Sequence, residues 1–198
     1  MENERIYRVD HRVLEKVISG GQTGVDRAAL DAAMKLGIDV GGWCPKGRRA
    51  LDGEIPSKYP LIETRGKSYQ TRTKWNVRDS DATLIICRDE PTGGTALTIK
   101  CCEQLGKPYM VYQLKVGETI GVGTAEDPYG VSYWLNCHHV QTLNVAGPRE
   151  GMHCPIYNHA YLFLMGLFQL MQRAAKDDAC VYEPVSSYRY KAVATLGA

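Results

Sequence analysis

Within six residues, the stretch 17–33, VISGGQTGVDRAALDAA, changes its periodicity. Val17 and Ile18 form an apolar pair of strand type, and Ser19-Gly20-Gly21-Gln22-Thr23-Gly24 is turn chemistry. Val25, Ala28, Ala29, Ala32, Ala33 and Leu36 then recur at helical spacing. Strand, tight turn and helix in that order form the first half of a βαβ unit, whose next strand runs parallel to the first. The same unit recurs downstream. ATLIIC, residues 82–87, is continuous, apolar and rich in β-branched side chains, as a strand covered on both faces must be. It leads through DEPTGGT into the helical run ALTIKCCEQLG.

Around these two units the reading is consistent. IDVGGWC is one extended apolar run, PKGRRALDGEIPSKYP a loop, PLIET a short strand and SYQTRTKWNVRDSD a polar helix. PYMVYQL is a strand, SYWLNCHH a helix end, and VQTLNVAG a strand that stops at GPREGMHCP. A long apolar helix follows over about 156–174. Strands alternating with helices predict an α/β fold with one doubly wound, mostly parallel sheet flanked by helices. No repeat of solenoid period is present. The 198 residues suit a single domain, with an N-terminal extension at 1–16 and a C-terminal tail at 175–198.

Charge and cysteine usage narrow the partners. Twenty-four basic residues against 22 acidic ones leave a formal net charge of +2. That balance gives no broad attraction to nucleic acid or to an anionic membrane, so any anion site must be local. Seven cysteines stand at Cys44, Cys87, Cys101, Cys102, Cys137, Cys154 and Cys180, without a CxxC pair or zinc spacing. With a charged N-terminus lacking an apolar signal core, they predict a reduced, cytoplasmic protein. The most apolar segment, AYLFLMGLFQLM, is too short to span a bilayer and reads as a buried helix.

In a parallel sheet, ligands bind outside the carboxyl ends of the strands. Three loops leave strands there: SGGQTG, DEPTGGT and AGPRE. Glycine lets a backbone turn tightly and approach a ligand, and the N–H groups of a helix start favour phosphate. Either glycine pair taken alone is equally a plain strand-to-helix turn; two together, with Thr23, Thr92 and Thr95 beside them, point to a ligand site. The candidates for binding are therefore Gly20, Gly21, Gln22, Thr23, Gly24, Thr92, Gly93, Gly94 and Thr95. Asp26 suits the helix dipole but repels phosphate, and Arg27 beside it compensates. Lys46, Arg48 and Arg49 form a basic loop cluster, Arg149 lies at a strand end on the ligand edge, and Arg78 on the polar helix is a weaker candidate with a salt-bridge role as its alternative. Neither turn is a Walker loop or a GxGxxG fingerprint. His138 and His139 are adjacent and point apart, Cys44 reads first as packing, and no nucleophile elbow is present. No catalytic residue and no metal ligand is nominated.

Five segments in order, ISGGQTGVDRAALDAAMKLG, GGWCPKGRRALDGEIPSKYPL, RTKWNVRDSDATLII, TGGTALT and LNVAGPRE, resemble the putative molybdenum carrier family. That family is Rossmann-like and related to the lysine decarboxylase-like, cytokinin-activating enzymes and to the DNA-processing DprA fold. The resemblance runs from Val17 through the last apolar helix. It implies a carrier for the molybdenum cofactor, a phosphorylated pterin with a dithiolene-bound metal. It also implies a homo-oligomer, a tetramer, and a molybdoenzyme as acceptor. Both glycine turns match its ligand loops, and WCPKGRR and GPRE its basic loops. Leu51 stands where an acid is expected, and GMHCPIY departs from the usual continuation of GPRE. The related phosphoribohydrolases carry PGGxGTxxE, whose glutamate assists cleavage of a nucleoside monophosphate. Here PTGGTALTIK has no acid before Glu103, so binding of a phosphorylated pterin is the leading expectation and a nucleotide-binding or nucleotide-cleaving protein the alternative. A DNA-processing role is disfavoured by the near-neutral charge.

Overall fold

A computed structural model describes residues 14–114, 128–151 and 155–175. Cys154, Cys180, most of GMHC, residues 1–13 of the N-terminal extension and the tail beyond residue 175 lie outside them.

The chain opens with β1 (Lys16–Ile18), passes the first glycine turn into α1 (Val25–Lys35) and returns through β2 (Asp39–Gly41). An excursion follows, made of β3 (Trp43–Cys44), β4 (Arg49–Ala50), β5 (Gly53–Glu54) and β6 (Ile62–Glu63). Then come α2 (Tyr69–Arg78), β7 (Ala82–Cys87), α3 (Gly93–Leu105) and β8 (Tyr109–Gln113). The described chain ends with α4 (Pro128–Cys137), β9 (Thr142–Ala146) and α5 (Tyr157–Ala174).

Five strands form one sheet in the order β2-β1-β9-β7-β8, and every neighbouring pair is parallel. Counted along the chain this order is 2-1-5-3-4. Counted with β9 first it becomes 3-2-1-4-5, the order of a doubly wound half-sheet. The last strand among the described residues thus holds the central place. Right-handed crossovers then put α1 and α4 against α5 on one face and α2 against α3 on the other. The direction of winding reverses between β9 and β7, so the crevice for ligands lies over their carboxyl ends.

The core explains this arrangement. Val17, Leu84, Ile86, Leu143 and Val145 from the sheet meet Ala28, Ala29, Ala32 and Ala33 of α1 and Leu164, Leu167 and Phe168 of α5. A stripe of alanines keeps α1 thin enough for α5 to lie close beside it. On the other face Val77 packs with Cys101 and Cys102. Burial pushes the thiols of Cys87 and Cys102 up to about 11, so both act as packing groups. No helix among the described residues is long and apolar enough to cross a membrane.

Two local readings change. IDVGGWC is not one strand: at Gly42 the backbone takes φ +124°, and a Cβ there would lie 2.3 Å from the Ser19 carbonyl oxygen. The chain turns away at that point, and β3 pairs with β6 in a separate small sheet. The stretch read as a loop contains a hairpin, β4 against β5, with Leu51 and Asp52 at its tip. Arg48 holds it. Its guanidinium donates to the carbonyls of Ile55 (2.9 Å), Leu61 (3.2 Å), Pro56 (3.0 Å) and Tyr59 (2.9 Å). Cys44 is fully buried with Leu30, Ile55, Tyr59 and Leu61.

Candidate functional site

The first glycine turn is built by close approaches within the protein. A Cβ on Gly20 would fall 1.9 Å from Arg72 Nη1, so glycine lets the Arg72 guanidinium, arriving from α2, lie on the turn. Arg72 Nη1 donates to Asp26 Oδ2 across a long 3.4 Å, and the N–H of Gln22 donates to the same oxygen at 3.2 Å. Asp26 is buried; desolvation raises its carboxyl pKa and Arg72 opposes the shift. Arg72 Nε is buried with no acceptor. A guanidinium held this way is under-compensated, which is the state an anionic ligand would relieve.

The start of α1 is occupied by protein carbonyls. Gly24 precedes it with φ +83°, the N–H of Val25 donates to Pro148 O (3.2 Å) and that of Arg27 to Gln22 O (3.2 Å). Gln22 Oε1 accepts from the N–H groups of Thr23 (3.0 Å) and Leu51 (2.8 Å). Arg27 donates through Nε to Gly21 O (3.1 Å) and through both Nη atoms to Asp52, at 2.6 and 2.8 Å. That bidentate hydrogen bond lowers the Asp52 pKa. Gln22 and Arg27 therefore fasten the glycine turn to the hairpin tip.

The second turn is different. Thr92 precedes α3 without a side-chain capping bond, while the N–H groups of Thr95 and Ala96 donate to Thr92 O at 3.0 and 3.3 Å. The N–H groups of Gly93 and Gly94 have no acceptor among the described residues, and Cβ atoms built on either would meet nothing within 4 Å. This helix start is open, and it follows β7 directly at the reversal point of the sheet. Asp89 and Glu90 stand exposed on the approach. The third loop closes the crevice floor: a Cβ on Gly147 would lie 2.3 Å from Ile86 O. Arg149 is exposed, and Glu150 Oε2 accepts from the N–H groups of Ile156 (3.3 Å) and Tyr157 (2.8 Å), capping α5.

Beside the first turn opens a cleft of about 670 Å³ between Thr23, Gly24 and Arg27, the hairpin tip, Tyr59 and Tyr157. Asp31 sits on its wall. Asp31 Oδ2 accepts from the hydroxyls of Tyr59 (2.9 Å) and Tyr157 (2.8 Å), and Oδ1 from Lys58 Nζ (2.8 Å). Burial first, and Asp31 second, push the Tyr157 phenol far above its usual range.

Of the residues nominated from sequence, Gly20, Gly21, Gln22, Thr23, Gly24, Asp26 and Arg27 form one cluster, with the loop bearing Arg149 packed on Gly24. Thr92, Gly93, Gly94 and Thr95 form the open start of α3, although Thr95 itself is buried. Lys46 and Arg49 are exposed and pair with no acid among the described residues. Arg78 lies six residues beyond Arg72, about 9 Å along the helix. It is spent on Asp79 (2.6 Å) and on the Trp75 ring (5.2 Å). Sequence reasoning missed Arg72, Asp31, Tyr59, Glu150 and Tyr157; all but Tyr157 lie in segments that carried the family resemblance, and that was their one signal. His138 Nδ1 lies 2.9 Å from Trp134 O, and no group of three or more potential metal-ligating side chains occurs among the described residues.

Comparison with known proteins accords with this geometry. A family model described as the circularly permutated YpsA SLOG family, within a Rossmann-like nucleotide-binding superfamily, matches residues 17–168. No curated protein matches. Among solved structures, the crystal structure of a protein described as a putative molybdenum carrier from Syntrophus aciditrophicus SB is similar, at 45% identity and a TM-score of 0.70. The match covers 79% of this chain and 95% of that one. Starting the strand count at β9 is what a circular permutation of a doubly wound sheet requires.

Proposed function

Because the chain belongs to the circularly permutated YpsA SLOG family, we propose that it binds a phosphorylated heterocycle in the crevice over β9 and β7, and that this ligand is the molybdenum cofactor or its metal-free pterin. The observation that carries the reading is the open start of α3. Two uncommitted N–H groups, at Gly93 and Gly94, add to the positive end of the helix dipole at the place where a doubly wound sheet receives ligands. The Thr92 hydroxyl can donate to the same phosphate. Arg72, seated on Gly20, supplies the balancing charge from the other side of the crevice, and the first glycine turn acts as its platform.

In this reading recognition falls on the phosphate and the ring, and the metal travels on the dithiolene as cargo. Delivery to a molybdoenzyme and assembly into a homotetramer belong to the same proposal. Sedimentation velocity of the purified protein tests the assembly. Anaerobic incubation with released cofactor, followed by gel filtration with absorbance and metal analysis, tests the binding. Retention of pterin by the wild type and at least tenfold weaker retention by Arg72→Gln are expected; no uptake of cofactor or of metal-free pterin by the wild type would overturn the reading.

Nucleotide binding is the second reading, since the same open helix start suits any phosphate monoester. Cleavage is less well supported. Glu103 lies ten residues beyond Gly93, about 15 Å along α3, and there it accepts the Tyr109 hydroxyl at 3.2 Å. Release of free base from a purine nucleoside monophosphate would establish turnover.

A further inference from the structure

The cleft beside α1 has a chemistry opposite to that of the α3 start. Each tyrosine hydroxyl carries one proton, and Tyr59 and Tyr157 both give theirs to Asp31 Oδ2. What the two phenol oxygens retain is lone pairs. Glu150 uses Oε2 to cap α5, while its Oε1 makes no hydrogen bond among the described residues. Arg27, the cation of the lining, has committed Nε and both Nη atoms to Gly21 O and Asp52. Of the three lining carboxylates, Asp31 is paired with Lys58 and Asp52 with Arg27, while Glu150 has no cation partner among the described residues. A phosphate has no place here. A flat ring with donors does, because the volume of about 670 Å³ falls within the range of small-molecule sites and the tyrosines supply apolar walls.

We propose that this cleft reads the ring of the ligand, selecting a heterocycle that presents an amino group beside a ring N–H, with Glu150 Oε1 as the principal acceptor. That donor pair is the 2-amino-4-oxopyrimidine edge common to guanine and pterins. Adenine offers an acceptor in place of the ring N–H, and hypoxanthine lacks the amino group. Thr23 and Gly24 line the cleft and belong to the same glycine turn whose Gly20 seats Arg72, so one loop borders both the cleft and the proposed anion-balancing charge. The inference rests on the binding function proposed above.

Isothermal titration with GMP, IMP, AMP and neopterin monophosphate tests it, on the full chain and on Glu150→Gln. The variant keeps an amide oxygen to cap α5, and its thermal unfolding reports whether the fold is retained. A hydrogen bond to a charged group is worth roughly tenfold or more in affinity. Wild type should therefore bind GMP and neopterin monophosphate at least tenfold more tightly than IMP, with AMP weakest. Glu150→Gln should erase that margin, weakening GMP and neopterin monophosphate at least tenfold more than it weakens IMP. Equal affinity for GMP and IMP overturns the ring-reading role and leaves phosphate binding standing. No binding of any of the four overturns both. If Glu150→Gln folds and keeps the full preference for GMP, Glu150 is not the reader and the proposal fails.

Discussion

Gly20 and Arg72 work as one feature, although 52 positions separate them. From sequence, Gly20 reads as a residue that lets a ligand approach the backbone. In the structure the group that approaches is a guanidinium of the same chain, 1.9 Å from where a Cβ would stand. A Gly20→Ala substitution must therefore push Arg72 aside. The displaced atoms are the far end of a flexible side chain, so the melting temperature should change by only a few degrees, whereas affinity for phosphate monoesters in a titration should fall at least fivefold. Unchanged affinity would remove Arg72 from the anion site. Asp26 beneath it gives a pH signature. Burial raises its carboxyl pKa above the unfolded value of about 3.9, so the folded protein keeps that proton to higher pH than the unfolded chain does. The stability this contributes is whole below about pH 4 and is lost as the pH rises through the folded pKa. Asp26→Asn abolishes the titration, so its melting temperature relative to wild type should climb between pH 4 and pH 7. A constant offset would show that Arg72 compensates the charge fully. Neither effect is visible in the local sequence, because both arise from contacts between α1 and α2.

Local periodicity made the larger elements legible. β7 is six buried residues, all apolar but Thr83, α1 keeps its alanines on one side, and α5 repeats its large apolar groups over five turns. In the excursion between β2 and α2, PLIET was legible as a short strand and holds β6, but the break at Gly42 and the hairpin of β4 and β5 were not, because strands of two residues leave no period to read. The excursion takes its order from Arg48, which the sequence groups with Lys46 and Arg49 in a basic loop cluster. In the structure Arg48 satisfies four carbonyls from the segment that follows it. Arg48→Ala should cost about 2–4 kcal/mol in urea unfolding, since several charge-assisted hydrogen bonds go at once. Hydrogen exchange should accelerate over residues 49–64 and stay slow in β7 and β9. Arg48→Lys should not restore protection, because an ammonium cannot fork to acceptors spread over Ile55, Pro56, Tyr59 and Leu61. Release of Arg27 from Asp52 is milder: half of the Asp52 side chain is exposed, and Asp52→Ala should lower stability by less than about 1 kcal/mol while making the hairpin tip a site of proteolytic cleavage.

For the whole molecule, alternating patterns were enough to predict a doubly wound parallel sheet, and they say nothing about which strand sits in the middle. Each strand has much the same local signal, and β9 reaches the centre only by pairing with β1 on one side and β7 on the other, strands 126 and 61 positions away in the register of Lys16 with Thr142 and Ala82 with Leu143. If the order is a permutation of 3-2-1-4-5, the position of the chain ends should be immaterial to the native fold. A protein cut between α4 and β9, at His138–His139, and joined through the natural segments 176–198 and 1–13 would run β9, α5, β1, α1, β2 in turn. The new connection between α5 and β1 then completes an ordinary right-handed βαβ crossover. Such a chain should unfold in one cooperative transition with stability within a few kcal/mol of the original, and it should retain the phosphate site, because no residue of either glycine turn changes neighbours. Loss of cooperative unfolding would mean that the β8-to-β9 connection through α4 is itself needed to place β9, and that the chain order is part of the fold and not merely a trace of its rearrangement.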